Sequence, residues 1–227
     1  MNSYIELKNL SKKYNSKRKV SVLSNLNYKF KKGKTYSLVG PSGSGKSTLL
    51  NILSLIDRPS NGFLFIDDQK INFDENTNND SLRSNNFGII YQEKNLLNDF
   101  TALENISVAG IANGKTQSES LNLSKKILKK LKLYNRTNHL PSELSGGENQ
   151  RIAIGRSLIN SPKIIIADEP SGNLDHKNAK EFFKLLFNLK SKNRIIIYAT
   201  HNRYFANLAD CRLQIINGKL KSINARK

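Results

Sequence analysis

Near the start of the chain apolar residues alternate with polar ones, as Ile5/Leu7, then Val20/Val22, then Leu26/Tyr28/Phe30. A period of two predicts short antiparallel strands over residues 4–30, with Lys32-Gly33 as a turn. Residues 35–39 read as a buried strand. It runs into the glycine loop Gly40-Pro41-Ser42-Gly43-Ser44-Gly45-Lys46-Ser47-Thr48 and then a helix apolar around most of its circumference (Leu49, Leu50, Ile52, Leu53, Ile56), which stops at Asp57-Arg58-Pro59. Strands are expected over 63–66 and 87–91, separated by an Asn/Asp-rich surface loop over 74–80. From Glu93 the period changes. Thr101/Glu104 and Thr116/Glu119 have capping-box spacing, and Ile127, Leu128 and Leu131 share one helical face, so a helical insert is expected. Strand character returns at Ile164-Ile165-Ile166-Ala167, followed by an amphipathic helix over 176–190, a strand over 194–199 and a terminal hairpin around Asn217-Gly218. The whole reads as one α/β domain over 1–227, with a core of 1–92 and 161–227 and a helical subdomain over 93–160.

At 227 residues and 25.6 kDa the chain is long enough to bury a large core without staples. The single Cys211 excludes an intramolecular disulfide, and His139, His176 and His201 have no metal-ligand spacing with it. No run approaches the ~18 apolar residues of a membrane helix, and the first residues lack an apolar signal core, so a cytosolic, unexported protein is expected. The balance of 37 Lys and Arg against 18 Asp and Glu, a net +19, raises the possibility of a nucleic-acid or membrane-surface partner.

The glycine loop has the spacing G-x-x-x-x-G-K-[ST], in Gly40, Gly45, Lys46 and Ser47. Between a strand and a helix, such a loop turns successive backbone N–H groups inward to cradle phosphates. Lys46 then reaches the β and γ phosphates and Ser47 ligates Mg²⁺. An ordinary turn of small residues is the competing reading, and the strand-then-helix context disfavours it. Nucleotide-bound Mg²⁺ needs an acidic partner at a neighbouring strand end, and Asp168 follows Ile164-Ile165-Ile166-Ala167 directly. Glu169 beside it is placed to act as general base or to orient the attacking water. Without the glycine loop, Asp168-Glu169-Pro170 would read as a polar strand end before a helix. Leu144-Ser145-Gly146-Gly147-Glu148 opens a further helix whose free N–H groups make a second anion-binding terminus, one that a second copy of the chain would share.

With these motifs in this order, the chain resembles the ATP-binding subunit of ABC transporters over nearly its whole length. The resemblance implies a P-loop NTPase fold of the ABC ATPase type, an α/β core with an N-terminal antiparallel β subdomain and an α-helical insert. It also implies ATP and Mg²⁺ as cofactors. In the family's terms 40–48 is the Walker A loop, Gln92 the Q-loop residue that contacts Mg²⁺, and 144–148 the signature. Asp168 ends the Walker B strand, Glu169 is the catalytic glutamate, 171–175 the D-loop, His201 the switch histidine on the γ phosphate, and Tyr14 the aromatic that stacks on adenine. For Tyr14 packing against the N-terminal strands, for Gln92 a strand cap, and for His201 a helix cap or core position remain alternatives.

Ser171-Gly172-Asn173-Leu174-Asp175, together with residues 88–92, 96–105 and 138–144, is similar to the branch that holds lipoprotein-releasing, macrolide-export and cell-division ATPases, and most similar to the lipoprotein-releasing ones. That implies a homodimer of ATPase subunits, paired with two integral membrane subunits of the LolC/LolE type at the cytoplasmic face of an inner membrane. An export or cell-division ATPase gating a membrane partner is the alternative. Asn149, Gly155, Ser157 and Ser171 depart from common family residues, as does the segment 108–114. The basic residues are spread: Lys17-Arg18-Lys19 reads as a solvated loop, and Lys125, Lys126, Lys129, Lys130 and Lys132 as the polar side of one helix without interleaved aromatics. No nucleic-acid partner is expected, and the charge suits the neighbourhood of an anionic leaflet.

Overall fold

The structure, a computed structural model, describes residues 3–15, 19–74 and 79–223. Among them the elements run β1 (Ser3–Asn15), β2 (Lys19–Lys31), β3 (Thr35–Val39), α1 (Lys46–Leu53), β4 (Asn61–Ile66), β5 (Gln69–Lys70), α2 (Asp80–Asn86), β6 (Phe87–Ile90) and α3 (Ala102–Ile111). They continue with α4 (Gln117–Lys130), α5 (Gly146–Leu158), β7 (Ile164–Asp168), α6 (His176–Asn188), β8 (Ile195–Ala199), α7 (Arg203–Ala206), β9 (Cys211–Ile216) and β10 (Lys219–Ile223). The chain divides into two compact units, Met1–Asn79 with Lys190–Lys227, and Asp80–Leu189. Lys17 and Arg18 of the expected solvated loop, and 75–78 of the expected polar loop, lie outside the described residues.

In the first unit an antiparallel sheet has the order β2-β1-β4-β5. The period-two pattern foretold its strands as short pieces, yet β1 and β2 are continuous ribbons of 13 residues each. The pattern breaks because the β1–β2 register shifts between Leu7 and Leu10 and again before Lys12. Asn9 and Asn25 take left-handed φ values of 50° and 52° at these shifts. A bulge changes which face a side chain meets, so Leu23 and Leu26, three apart, are both buried. In the same unit β3 is parallel to β8 on one side and to β9 on the other, and β10 returns antiparallel to β9 through Asn217-Gly218, both with positive φ. Such a turn is the hairpin expected from the sequence. Strands β3 and β8 are buried almost throughout, which is why they read as continuous apolar runs. Helix α1 buries Leu49, Leu50, Ile52 and Leu53 and ends three residues before Ile56, because the Ser54 hydroxyl bonds the Leu50 carbonyl and Leu55 turns left-handed at φ 61°.

In the second unit β6 and β7 pair in parallel, with Gly88 opposite Ile165. Helices α3 and α4 begin at the two foreseen capping boxes, Thr101/Glu104 and Thr116/Glu119, each with both reciprocal hydrogen bonds formed. Helix α5 buries Gln150, Ile152, Ala153, Ile154 and Gly155. Helix α6 is strongly amphipathic, burying Ala179, Phe182, Phe183 and Leu186. Helix α2 has no buried residue, hence no apolar stripe by which a pattern would reveal it. No helix among the described residues is long and apolar enough to cross a membrane.

Candidate functional site

Residues 40–48 leave the end of β3 and enter α1, as the spacing required. Two glycines explain the loop's shape. At Gly40, φ 155°, a Cβ would stand 2.5 Å from the Ile215 carbonyl oxygen and 2.7 Å from Ser44 Oγ. At Gly45, φ 101°, it would meet Leu23 Cδ2 at 2.8 Å and Val22 Cγ1 at 2.9 Å. Strands β2 and β9 thus press the loop from behind, and only glycine leaves it room to curl. Lys46 folds back so that its Nζ donates to the Gly40 and Pro41 carbonyls at 3.0 and 3.1 Å. Pro41, Ser42, Gly43 and Ser47 are exposed, and Thr48 is half-buried. The first N–H groups of α1 have no intrahelical acceptor and carry the positive end of the helix dipole. The buried Ser44 Oγ meets no hydrogen-bond partner among the described residues. A concave loop with unmatched donors and a lysine, lacking any carboxylate, fits a polyphosphate and an oxygen-seeking cation at the Ser47 hydroxyl.

Tyr14 lies in the same unit, on β1 opposite Val20 of β2, and is 41% exposed. Its hydroxyl donates to Asp57 Oδ2 at 2.8 Å, and the Lys12 ammonium stands 4.8 Å from its ring centroid. Lys12 in turn pairs with Asp57 Oδ1 at 2.5 Å and donates to the Arg58 carbonyl at 2.7 Å. Burial works to raise the Asp57 pKa, but the hydrogen bonds from Lys12, Tyr14 and the Arg58 N–H outweigh it and hold the carboxylate below its ordinary range. Burial and the Asp57 bond raise the Tyr14 phenol, and a hydrogen bond with Thr48 opposes them, tying the ring to the start of α1. Lys12 and Asp57 therefore hold an exposed ring beside the phosphate loop. A strand lysine and a loop aspartate 45 residues apart carry no pattern by which sequence would have paired them. His201, also in this unit, is exposed; the cap of α7 is taken by Asn202, whose Oδ1 accepts from Tyr204 N at 2.9 Å. The exposure of His201 is unlike that of a core histidine.

In the second unit Asp168 ends the buried strand β7, and Glu169 follows it in a left-handed conformation, φ 42°. The Glu169 carbonyl accepts from Gly172 N at 3.0 Å, which closes the chain into the turn that carries Ser171–Asp175. Gln92 is brought to this turn: a Cβ on Gly172 would lie 3.0 Å from Gln92 Nε2. Asp175 caps α6 by accepting from Asn178 N at 2.9 Å, and that backbone bond is the first reason its carboxyl titrates below the ordinary range. The Asn178 amide lies against Gly147, where a Cβ would come 2.9 Å from Oδ1. Gln92, the turn after Glu169, and the Gly146-Gly147 helix start are thus assembled within one unit.

Ser145 caps α5 with its hydroxyl accepting from Glu148 N at 3.2 Å, while Glu148 Oε2 accepts from Ser145 N at 2.9 Å and Oε1 from Arg136 Nε at 3.0 Å. The Ser145 N–H, then Arg136, pull the Glu148 pKa down to about 2 against the effect of burial. Asn149 reaches backward to the Pro141 carbonyl at 2.8 Å, so this departure from the family pattern ties down the turn that precedes the motif. Ser145 and Gly146 are exposed.

Residues 23–172 match the ABC transporter family. The chain is 44% identical over 97% of its length, and 97% of the relative's, to the lipoprotein-releasing system ATP-binding protein LolD of Wigglesworthia glossinidia brevipalpis. It is 43% identical, over 96% of this chain and 98% of the relative, to the protein of that name from Rickettsia bellii. Among solved structures, the ATP-binding cassette MJ0796, a dimer in a post-hydrolysis state bound to ADP and Pi, superimposes with a TM-score of 0.86 at 33% identity, covering 98% of this chain and 99% of that one.

Proposed function

Because the chain belongs to the ABC transporter family as an ATP-binding, ATP-hydrolysing subunit, we propose that it powers the release of lipoproteins from a membrane by a transporter built on membrane subunits of the LolC/LolE type. The observation that carries this reading is near full-length similarity to ATPases of lipoprotein-releasing systems. The relatives' extents match this chain's, so the likeness spans the second unit as well as the phosphate loop.

Each residue has a chemical role in this reading. The backbone N–H groups of 40–48 and the Ser44 hydroxyl hold the phosphates, Lys46 exchanges its loop carbonyls for β and γ oxygens, and Tyr14 offers its ring to adenine. Ser47, Asp168 and Gln92 present the hard oxygen donors that Mg²⁺ takes. When bound, that ion neutralises charge on the phosphates. Glu169 accepts the proton of the attacking water, and His201 donates to the γ phosphate. Ser145, Gly146 and Gly147 serve the nucleotide held by a second copy, so that ATP closes a homodimer and hydrolysis reopens it. Support for the dimer comes from the exposed Ser145 and Gly146 at the start of α5 and from the dimeric state of MJ0796.

The test is Glu169→Gln. The variant is expected to bind ATP and dimerise with it while turnover falls about 10²-fold or more, the loss typical of a general base. Normal turnover would remove Glu169 from its role. Copurification tests the partner: membrane subunits of a lipoprotein-releasing system are expected to come down with the tagged chain, and their absence alongside a different membrane pair would refute the proposed cargo.

A further inference from the structure

The loop after Gln92 has almost no regular structure, yet its backbone is held from two sides. From α5, Arg156 donates Nη1 to the Asn95 carbonyl at 2.6 Å and Nη2 to the Lys94 carbonyl at 2.9 Å. From α3 the fully buried Asn105 donates Nδ2 to the carbonyls of Leu97, Phe100 and Thr101 at 3.0, 2.7 and 3.1 Å, and its Oδ1 accepts from Leu97 N at 2.8 Å. Asn95 is bent into the left-handed region at φ 46°, which turns two successive carbonyls toward the guanidinium. Burial lowers the Arg156 pKa while Tyr91, next to Gln92, favours its charge. A guanidinium fork is one of few side chains able to take two adjacent carbonyls at once.

We infer that Arg156 is a positioning residue that locks the loop bearing Gln92 to the helix bearing Ser145–Gly147, so that the two move as one body during turnover. The inference rests on the ATPase reading above and extends it to a residue that touches neither nucleotide nor water. Arg156 lies ten residues along α5 from Gly146, more than two turns from the phosphate-facing end. Its bonds run to main chain rather than to a catalytic group. Holding Gln92 in register with α5 is therefore its only route to the reaction.

Arg156→Lys keeps the charge and the stem but replaces the fork by one ammonium; Arg156→Gln serves as a second variant should the lysine form fail to fold. In hydrogen exchange on the intact chain, the Leu97 and Phe100 amides are expected to exchange about tenfold faster, the effect of losing one charged hydrogen bond, with α5 amides and the melting temperature unchanged. In the chain assembled with its membrane subunits, kcat is expected to fall about tenfold while the KM for ATP stays within about twofold, since no phosphate contact is lost. Wild-type exchange and wild-type kcat in the variants would overturn the inference. So would a fall in kcat that tracks a lower melting temperature, which marks a purely structural role. A wild-type chain that hydrolyses no ATP would bring down the ATPase reading, and this inference with it. Normal wild-type turnover with an unaffected variant removes this inference alone.

Discussion

Substituting Gly88 by Ala tests how tightly β6 and α5 are pressed together. A Cβ on Gly88 would stand 2.4 Å from the Ser157 carbonyl oxygen, 3.2 Å from its carbon and 3.0 Å from Pro162 Cγ. That is about 1 Å inside ordinary contact, and the obstacle is main chain rather than a swinging side chain. The strand cannot retreat, because Gly88 faces the fully buried Ile165 across the β6–β7 ladder. Helix α5 cannot retreat either, with Ile152 and Ile154 completely buried. Overpacking of this kind costs about 1–3 kcal/mol, here at the upper end, and removing a strand glycine returns about 0.5–1 kcal/mol. The net expectation is a loss of about 2 kcal/mol. With a urea slope of about 3 kcal/mol/M, the midpoint falls by roughly 0.7 M. The chain has no Trp, so the measurement is far-UV circular dichroism. Gly155→Ala is the matched control: its Cβ would meet only side-chain ends, Ile106 Cδ1 at 2.7 Å and Ile127 Cγ2 and Leu131 Cδ1 at 3.1 Å. Helix propensity returns about 1 kcal/mol there, so its midpoint moves far less. A Gly88→Ala midpoint equal to wild type, or below the loss at Gly155→Ala in size, would refute the argument.

Other expectations follow from residues of each unit. Lys46→Ala removes an ammonium bonded only to loop carbonyls, so isothermal titration should show ATP affinity falling at least about tenfold with thermal stability within about 0.5 kcal/mol of wild type. Tyr14→Phe loses the bond to Asp57 and keeps the ring, whereas Tyr14→Ala loses both; weakened ATP binding only in the alanine variant, by about 1–3 kcal/mol and with the affinity for inorganic triphosphate unchanged, supports the stacking role. Glu148 titrates at about 2 in the fold against an ordinary 4.5, so its contribution is present above about pH 4.5 and fades as pH falls toward 2. After allowance for screening that contribution is about 1 kcal/mol. Glu148→Gln should therefore lower stability at pH 7 and flatten the acid limb of a stability–pH curve; an unchanged limb counts against the capping box as its origin.

Most of the architecture was legible because local signals agreed with the fold. The glycine spacing, the two Thr/Glu capping boxes, the isoleucine strand before Asp168 and the Asn217-Gly218 turn are all short-range devices whose geometry follows from a few neighbouring residues. The bulged strands were misjudged in length because a register shift interrupts a period of two without ending the strand. Helix α2 escaped notice because it buries nothing. Within the candidate site the motif residues were named from their spacing, but the side chains that support them were not. Lys12 with Asp57 under Tyr14, and Arg156 with Asn105 around the loop after Gln92, join positions far apart in sequence through backbone carbonyls, which any residue provides.

The same distinction accounts for the residues of α5 that stray from the family pattern. Asn149 holds the Pro141 carbonyl, so an amide at this position serves the turn before the motif. Gly155 admits the Ile106 methyl to within 2.7 Å of where a Cβ would be, letting α3 approach the helix closely. Ser157 satisfies itself on the Ile154 carbonyl at 2.7 Å, leaving its own carbonyl against Gly88. None of these three residues is at the exposed start of the helix, where Ser145 and Gly146 stand. These residues set how α5 is seated against its neighbours and leave its exposed start, with the Ser145/Glu148 capping box, untouched. The demands differ in kind: an exposed end answers to solvent and to whatever it meets there, whereas the shaft must match only its own neighbours, and those change with it.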